Sequence, residues 1–382
     1  MMRRGILTGL VCSGLLQILC ASPYLFAEPP STTFGVMLGG KEADAAGRVV
    51  VARALGVTMV RPLDLSLAEW AGTHEDTSAF LKAGFKVVLT VRHNGKGLPL
   101  PKPASPPKDL EAYQKKLGDV LDAYRPELLV VENEENSALY YLGTPKHYGA
   151  QLKAACAVAR RKGIKCTNGG LGSSLAATLV WSHYRDRREG GRAEDFLRRT
   201  SDPSQQKMLR TVEGQRRIGE AIMKGKALLA EYQSAGLDYL NVHWHIPDPA
   251  ALAETVAYLK AETGLQPIIT EMGQRDTGPV TVTALLGKAV ELGLPYVVWL
   301  SVDRPDAKAL HEPNGALREN GRAFQEFVRK ETGQAPTAGG RSRQYAAGGE
   351  SGREENSGDT DRLSKASAPV PRVTKPTRPA RN

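Results

Sequence analysis

The sequence predicts an α/β protein of the (β/α)8 type, a closed barrel of eight parallel strands wrapped by helices, and three observations point to it. Short β-branched runs alternate eight times with longer amphipathic stretches, the pattern of βα units joined in a parallel sheet. Helical stretches repeatedly stop at a glycine followed by an apolar run, at Gly56, Gly84, Gly163, Gly236 and Gly293. Glycine just past a helix accepts the left-handed conformation that ends it. Finally, the strands are nearly continuous in apolar residues and no G-x-G-x-x-G follows the first of them, which favours a closed TIM barrel over an open, doubly wound sheet.

In chain order, the first strand is Phe34 to Leu38 and its helix covers about 42–55, stopping before Gly56. Thr58 to Arg61 is the second strand, ended by Pro62, with a helix over 66–83 before Gly84. The third is Lys86 to Val91 with a helix over 108–123, and the fourth Leu128 to Glu132 with a helix over 146–162 before Gly163. Lys165 to Asn168 is the fifth strand. The longest interruption of the pattern, Leu171 to Pro203, follows it, an insertion expected to cover the top of the barrel before the helix over 205–235. Tyr239 to His243, Pro267 to Glu271 and Tyr296 to Leu300 complete the strands, with helices over 249–263, 280–292 and 316–331.

The ends of the 382-residue chain read differently. Residues 1–27 carry Arg3 and Arg4, an apolar run from Ile6 to Cys20 and a small residue, Ala27, before Glu28, the layout of a cleaved secretory signal. The run is shorter than the roughly 20 apolar residues of a spanning helix. Residues 28–332 form the barrel, and no second segment in the sequence could span a bilayer, so a secreted or periplasmic protein is expected. From Gly333 to Asn382 only Leu363, Val370 and Val373 represent Leu, Ile, Val and Phe, too few to bury a core, so a disordered basic tail is expected. Of the formal charge of +10, the two arginines of the signal and the tail's nine basic against five acidic residues leave the body at +4, which excludes nucleic acid as a partner argued from charge. A monomer is expected. Signal cleavage leaves Cys156 and Cys166; a helix and a strand pack about 10 Å apart, which favours two buried free thiols over a bridge. No metal-ligand cluster, catalytic cysteine motif or cofactor fingerprint is visible.

Barrels of this kind place their chemistry at the C-terminal strand ends. The residues there are Arg61; Arg92-His93-Asn94; Glu132-Asn133-Glu134-Glu135-Asn136; His243-Trp244-His245; Glu271; and Trp299. Two carboxylates from the fourth and seventh strands, accompanied by Arg, His and Trp, are a glycosidase composition: one acid protonates the leaving oxygen, the other attacks or activates water, and an aromatic face supports the sugar.

At these residues the sequence resembles clan A of the retaining glycoside hydrolases. The marks are Gly56-Val-Thr-Met-Val-Arg61, Val131-Glu-Asn133-Glu134, Val242-His243-Trp-His245, Ile269-Thr270-Glu271-Met-Gly273 and Val298-Trp299, which fall in order over residues 33–331. The resemblance implies Glu134 as acid/base, Glu271 as nucleophile, Arg61 as its charge partner, Asn133 as donor to a sugar 2-hydroxyl, His243 as a subsite hydrogen-bonder and Trp299 as the platform under the reacting sugar, with His93 and His245 joining the substrate-binding set. It implies a carbohydrate substrate and neither metal nor organic cofactor. Three departures stand beside it: Glu135 replaces a frequent Pro, no Trp precedes the motif, and His245 stands where a Tyr commonly helps hold the nucleophile.

Each residue also has a structural reading. Arg61 and Glu271 would make a buried ion pair, Trp299 a core residue and His243 a satisfied interior histidine. Glu132 and Glu134 would share one strand face, so the acid assignment could slip by two. In the insertion, Trp181, His183 and Tyr184 are either further sugar contacts or part of an Arg-rich solvated surface. The alternative to an exported retaining glycosidase acting on a β-linked polysaccharide or oligosaccharide is a carbohydrate-binding or cell-envelope barrel with impaired catalysis. An aldolase-type barrel would need a strand-end Lys, and none of the eight ends has one.

Overall fold

A computed structural model describes residues 31–39, 44–96, 102–273, 275–276, 278–304 and 308–334. The expected export signal, with Cys12 and Cys20, lies outside these residues, as does the expected tail beyond Gln334. The strands are β1 (Thr33–Leu38), β2 (Met59–Val60), β3 (Leu65–Ser66), β4 (Lys86–Arg92), β5 (Leu128–Val131), β6 (Lys165–Asn168), β7 (Leu240–Trp244), β8 (Pro267–Met272) and β9 (Tyr296–Ser301). The helices are α1 (Ala45–Ala54), α2 (Glu75–Lys82), α3 (Leu110–Tyr124), α4 (Pro145–Arg161), α5 (Ser173–Asp186), α6 (Gly190–Thr200), α7 (Pro203–Leu209), α8 (Val212–Ser234), α9 (Pro249–Thr263), α10 (Pro279–Glu291) and α11 (Glu319–Glu331). None of them is long and apolar enough to cross a membrane.

Eight of the strands run parallel in the order β6-β5-β4-β2-β1-β9-β8-β7, with the two-residue β3 beside the end of β4. Two isolated parallel bridges, Thr167 with Tyr239 and Leu171 with Val242, join β6 to β7 and bring the sheet nearly to closure as a (β/α)8 barrel. A side chain completes that seam: Asn168 Oδ1 accepts from the Asn241 amide (2.7 Å) and its Nδ2 donates to the Asn241 carbonyl (3.0 Å). All five glycines expected to stop a helix have left-handed φ, from 62° at Gly293 to 85° at Gly84.

Period-two alternation divides the core in two. Met37, Met59, Val88, Leu128, Val130, Ile268, Val298 and Leu300 pack as one cluster inside the barrel. Their strand neighbours, among them Val36, Val60, Leu89, Leu129, Ile269 and Trp299, join the larger cluster between strands and helices.

The expected helix over 66–83 begins only at Glu75, because Leu65 and Leu67 are both buried with period two and extend along β4, where Leu67 and Ala68 donate to the Arg92 and His93 carbonyls. The expected helix over 205–235 is two: the chain breaks at Arg210 and restarts where the Thr211 hydroxyl caps α8 by accepting from the Gly214 amide. The insertion after β6 holds α5, α6 and α7. It does not lie over the barrel as expected: α5 packs against α6, α8, α9 and β7 in the outer layer, and its first turn reaches the mouth.

The expectation of two free thiols is overturned: Cys156 on α4 and Cys166 on β6 form a disulfide with their Cα atoms 5.4 Å apart. Axis separation was the wrong measure, since helix Cα atoms stand about 2.3 Å off the axis and a residue facing the sheet is closer by that amount. The bridge closes a short loop, with a sequence separation of 10, so replacing both cysteines with serine should cost about 2–3 kcal/mol in a urea titration. An unchanged midpoint would show that the bridge adds nothing to the fold.

Candidate active site

Four strands and one irregular loop bring the polar residues together. Inward-facing Met59 on β2 is followed two residues later by Arg61, whose side chain is fully buried. On β7, Asn241 and His243 are both buried. The partner strand β8 carries one extra residue: Asn241 pairs with Ile268 but His243 pairs with Glu271. This bulge places Thr270 against Asn241 and still leaves Glu271 facing His243, a use of bulges common beside active sites.

The loop after β5 explains how Glu134 reaches the mouth. Glu132 and Glu134 have φ of 64° and 40°, left-handed values that non-glycine residues seldom adopt, so the strand stops at Val131 and the two acids do not share a face. Glu132 is fully buried, accepting from the His93 amide (2.7 Å) and from Gln151 Nε2 (2.6 Å), with Arg92 Nε at 3.7 Å. Burial pushes its carboxyl up to about 7 against those bonds. Glu135 is also fully buried, bonded to the Tyr232 hydroxyl and to Asn168 Nδ2, and burial again raises it. The flanking acids therefore anchor the loop, and Glu134 is the one left facing the mouth, its side chain 20% exposed.

There Glu134 Oε1 lies 3.1 Å from His243 Nδ1, and the same nitrogen is 3.8 Å from Glu271 Oε2. Arg61 is the hub: Nη1 donates to Glu271 Oε2 (3.0 Å) and to the Thr270 carbonyl (3.1 Å), Nη2 to Asn133 Oδ1 (2.7 Å), and Nε to Thr90 Oγ1 (2.9 Å). With its amide oxygen held by Arg61, Asn133 has its amide donor left for other use. His245 Nε2 is 3.4 Å from Glu271 Oε1, the position where the resemblance called for a Tyr. Burial raises the Glu271 pKa, but the charge of His243, the hydrogen bond from His245 and the Arg61 guanidinium outweigh it and hold the carboxyl well below the usual range.

One glycine is required by this packing. Gly170 has φ of 100°, and a Cβ there would stand 2.1 Å from His243 Nε2, so the chain passes flush against the imidazole.

Glu134, Glu271, Arg61, Asn133, His243 and His245 thus converge, and two expected members do not. His93 turns its ring away: Nδ1 meets the Ser105 carbonyl at 2.9 Å and the ring packs edge-on against Tyr113, lining a separate cleft with Asn94, Lys108 and Lys116. Trp299 is 2% exposed and packs against Phe324 of α11, with ring centroids 6.1 Å apart. It pairs with outward-facing Val36, so it belongs to the outer core and not beneath a sugar. Trp299→Ala should therefore destabilise the fold by about 3–5 kcal/mol while the activity of the remaining folded protein persists; loss of activity at unchanged melting temperature would contradict this. Trp181, His183 and Tyr184 likewise lie in the outer layer, beneath Arg185, against Tyr258 and beneath Arg192 respectively.

Two residues not singled out from the sequence belong here. Asp64, three residues after Arg61, faces Arg61 at 3.5 Å and Arg92 at 3.8 Å; burial nevertheless raises its pKa. Tyr140 is half-buried under the Arg92 guanidinium, and burial followed by the charges of Glu134, Glu271 and Asp64 pushes its phenol up to about 12, which sets it among the mouth's carboxylates.

No protein-family model and no curated relative matches this chain. Solved structures similar to it include a GH128 (subgroup II) endo-beta-1,3-glucanase from Sorangium cellulosum, at 15% identity and TM-score 0.46, covering 77% of this chain and 97% of that one. The catalytic domain of a hyperthermophilic chitinase from Pyrococcus furiosus is similar at 13% identity and TM-score 0.48, covering 80% and 96%. An endocellulase from Pyrococcus horikoshii, crystallised with cellotetraose, is similar at 11% identity and TM-score 0.46, covering 78% and 92%.

Proposed function

We propose that the protein is an exported retaining glycoside hydrolase that cleaves a β-linked polysaccharide or oligosaccharide by double displacement. The observation that carries this reading is that two carboxylates from different segments, Glu134 and Glu271, meet at one imidazole nitrogen at 3.1 and 3.8 Å while the Arg61 guanidinium bonds Glu271. Those two contacts cap the separation of the two oxygens below most of the roughly 6.5–9.5 Å range that inverting enzymes need for an intervening water, and the approach of both acids to one nitrogen favours the closer, retaining spacing.

In this reading Glu134 delivers a proton to the leaving oxygen as Glu271 attacks the anomeric carbon, forming a covalent glycosyl–enzyme ester. Glu134 then takes a proton from water, which displaces Glu271 and releases a sugar of the original configuration. His243 Nδ1 faces Glu134 at 3.1 Å, and Arg61 Nη1 stands 3.5 Å from its Nε2. His245 serves where a Tyr commonly does, holding one oxygen of Glu271 so that the other can attack.

The test is to incubate the secreted chain with β-glucans, xylans, mannans and galactans and to follow the first product by proton NMR. A β-anomer appearing before mutarotation is the expected result. An α-anomer would make the enzyme inverting, and binding without cleavage across the panel would favour the carbohydrate-binding alternative.

A further inference from the structure

The mouth contains a donor set that spacing alone does not reveal, because Glu134 of the loop after β5 joins His243 and His245 at the end of β7. Glu134, His243 and His245 each offer one ligand atom, and these atoms all lie within 4.8 Å of one another. No other group of three such donors occurs among the described residues. We propose that this cluster, with Glu271 beside it, binds a borderline-soft divalent cation of the zinc type, and that the ion occupies the position of the reacting sugar.

The chemistry of the set is suited to such an ion. Two imidazoles and a carboxylate with an open position are a common zinc set, whereas calcium and magnesium prefer oxygen donors throughout. Zinc holds nitrogen and oxygen at about 2.0–2.2 Å, which places neighbouring donors roughly 3.3–3.5 Å apart. His243 Nδ1 to Glu134 Oε1, at 3.1 Å, and His245 Nε2 to Glu271 Oε1, at 3.4 Å, are already close to that spacing. The longest separation must contract by little more than 1 Å, which side-chain rotation can supply, since Glu134 and His245 are 20% and 14% exposed. Coordination through Nδ1 leaves the His243 ring proton on Nε2, where Thr270 Oγ1, 3.5 Å away, accepts it while Arg61 Nη1, at the same distance, spends its two N–H bonds on Glu271 and the Thr270 carbonyl. His245 Nδ1 has no hydrogen-bond partner, so it can take the ring proton when Nε2, now 3.4 Å from Glu271 Oε1, turns its lone pair to the ion. Two carboxylates, Glu134 and Glu271, face the ion.

Metal binding here rests on the donor geometry; only competition with a sugar rests on the glycosidase reading. The test is therefore optical and needs no substrate. Full-length protein treated with chelator and dialysed is titrated with Co2+, whose visible bands are intense in a tetrahedral site, and the cobalt is then displaced with Zn2+. One equivalent should bind, and zinc should displace it. His245→Gln should weaken binding at least about tenfold without changing the metal-free melting curve, whereas His147→Gln, on the exposed face of α4, should leave binding unaltered. Absence of cobalt bands in the wild type, or equal affinity in His245→Gln, would overturn the proposal. For a glycoside that the protein cleaves, zinc should inhibit and chelator should restore the rate. Full activity at saturating zinc would show that ion and sugar occupy different places.

Discussion

Glu271→Gln is expected to lower turnover by on the order of 10^4-fold or more while leaving the fold and oligosaccharide binding intact. The amide keeps the shape of the carboxylate and one accepting oxygen, which can stay on Arg61, but it cannot form the glycosyl ester. Binding would be followed by calorimetry on the same preparation. Glu134→Gln should differ in kind: the loss should be severe with poor leaving groups and much smaller with good ones, which depart without protonation. Azide should restore part of that rate, because a small anion needs no general base. If both variants keep full activity on a substrate that the wild type cleaves, the assignment of the pair is wrong.

Arg61→Met should cost about 3–5 kcal/mol of stability, because it leaves Glu271, Asp64 and the Asn133 oxygen facing a buried apolar side chain. It should also move the acidic limb of kcat/KM to higher pH. The folded pKa of Glu271 lies below that of an unfolded glutamate, about 4.3. Its ionisation therefore stabilises the fold above that value, and the contribution is lost as pH falls towards the folded pKa. Without the guanidinium the folded pKa rises, so a larger fraction of the nucleophile is protonated at any given acidic pH. An unshifted limb in a folded Arg61→Met variant would show that another group sets it.

The barrel was legible because parallel strands buried on both faces appear as apolar runs, and because a glycine closes so many of the helices. The same burial hid side-chain direction. In Tyr-Val-Val-Trp-Leu-Ser every residue is compatible with either face, and the position of Trp299 follows from its register with Val36, a contact between distant parts of the chain. Arg61 was legible at the site because a charge at a strand end facing the outer core would have had no partner. Glu132 could not be separated from Glu134 by spacing, since two left-handed residues break the alternation on which spacing relies. The disulfide was missed through a geometric shortcut, and the extra residue in β8 because the sequence of one strand does not reveal its offset from the next.

The seam between β6 and β7 has a consequence for how the molecule opens. Every other pair of neighbouring barrel strands is joined by ladder pairs; here isolated bridges, a few backbone hydrogen bonds and the amide of Asn168 do that work. A ring closed so sparsely at one seam should breathe there first, so the amides of Asn241 and His243 should exchange with deuterium sooner than those of β1 in the opposite wall. Asn168→Ala should hasten exchange across the seam and leave the opposite wall protected. Since Asn168 also bonds Glu135, the opening fluctuation would travel into the loop that carries Glu134, so that the rhythm of the barrel wall and the readiness of the mouth would be one motion.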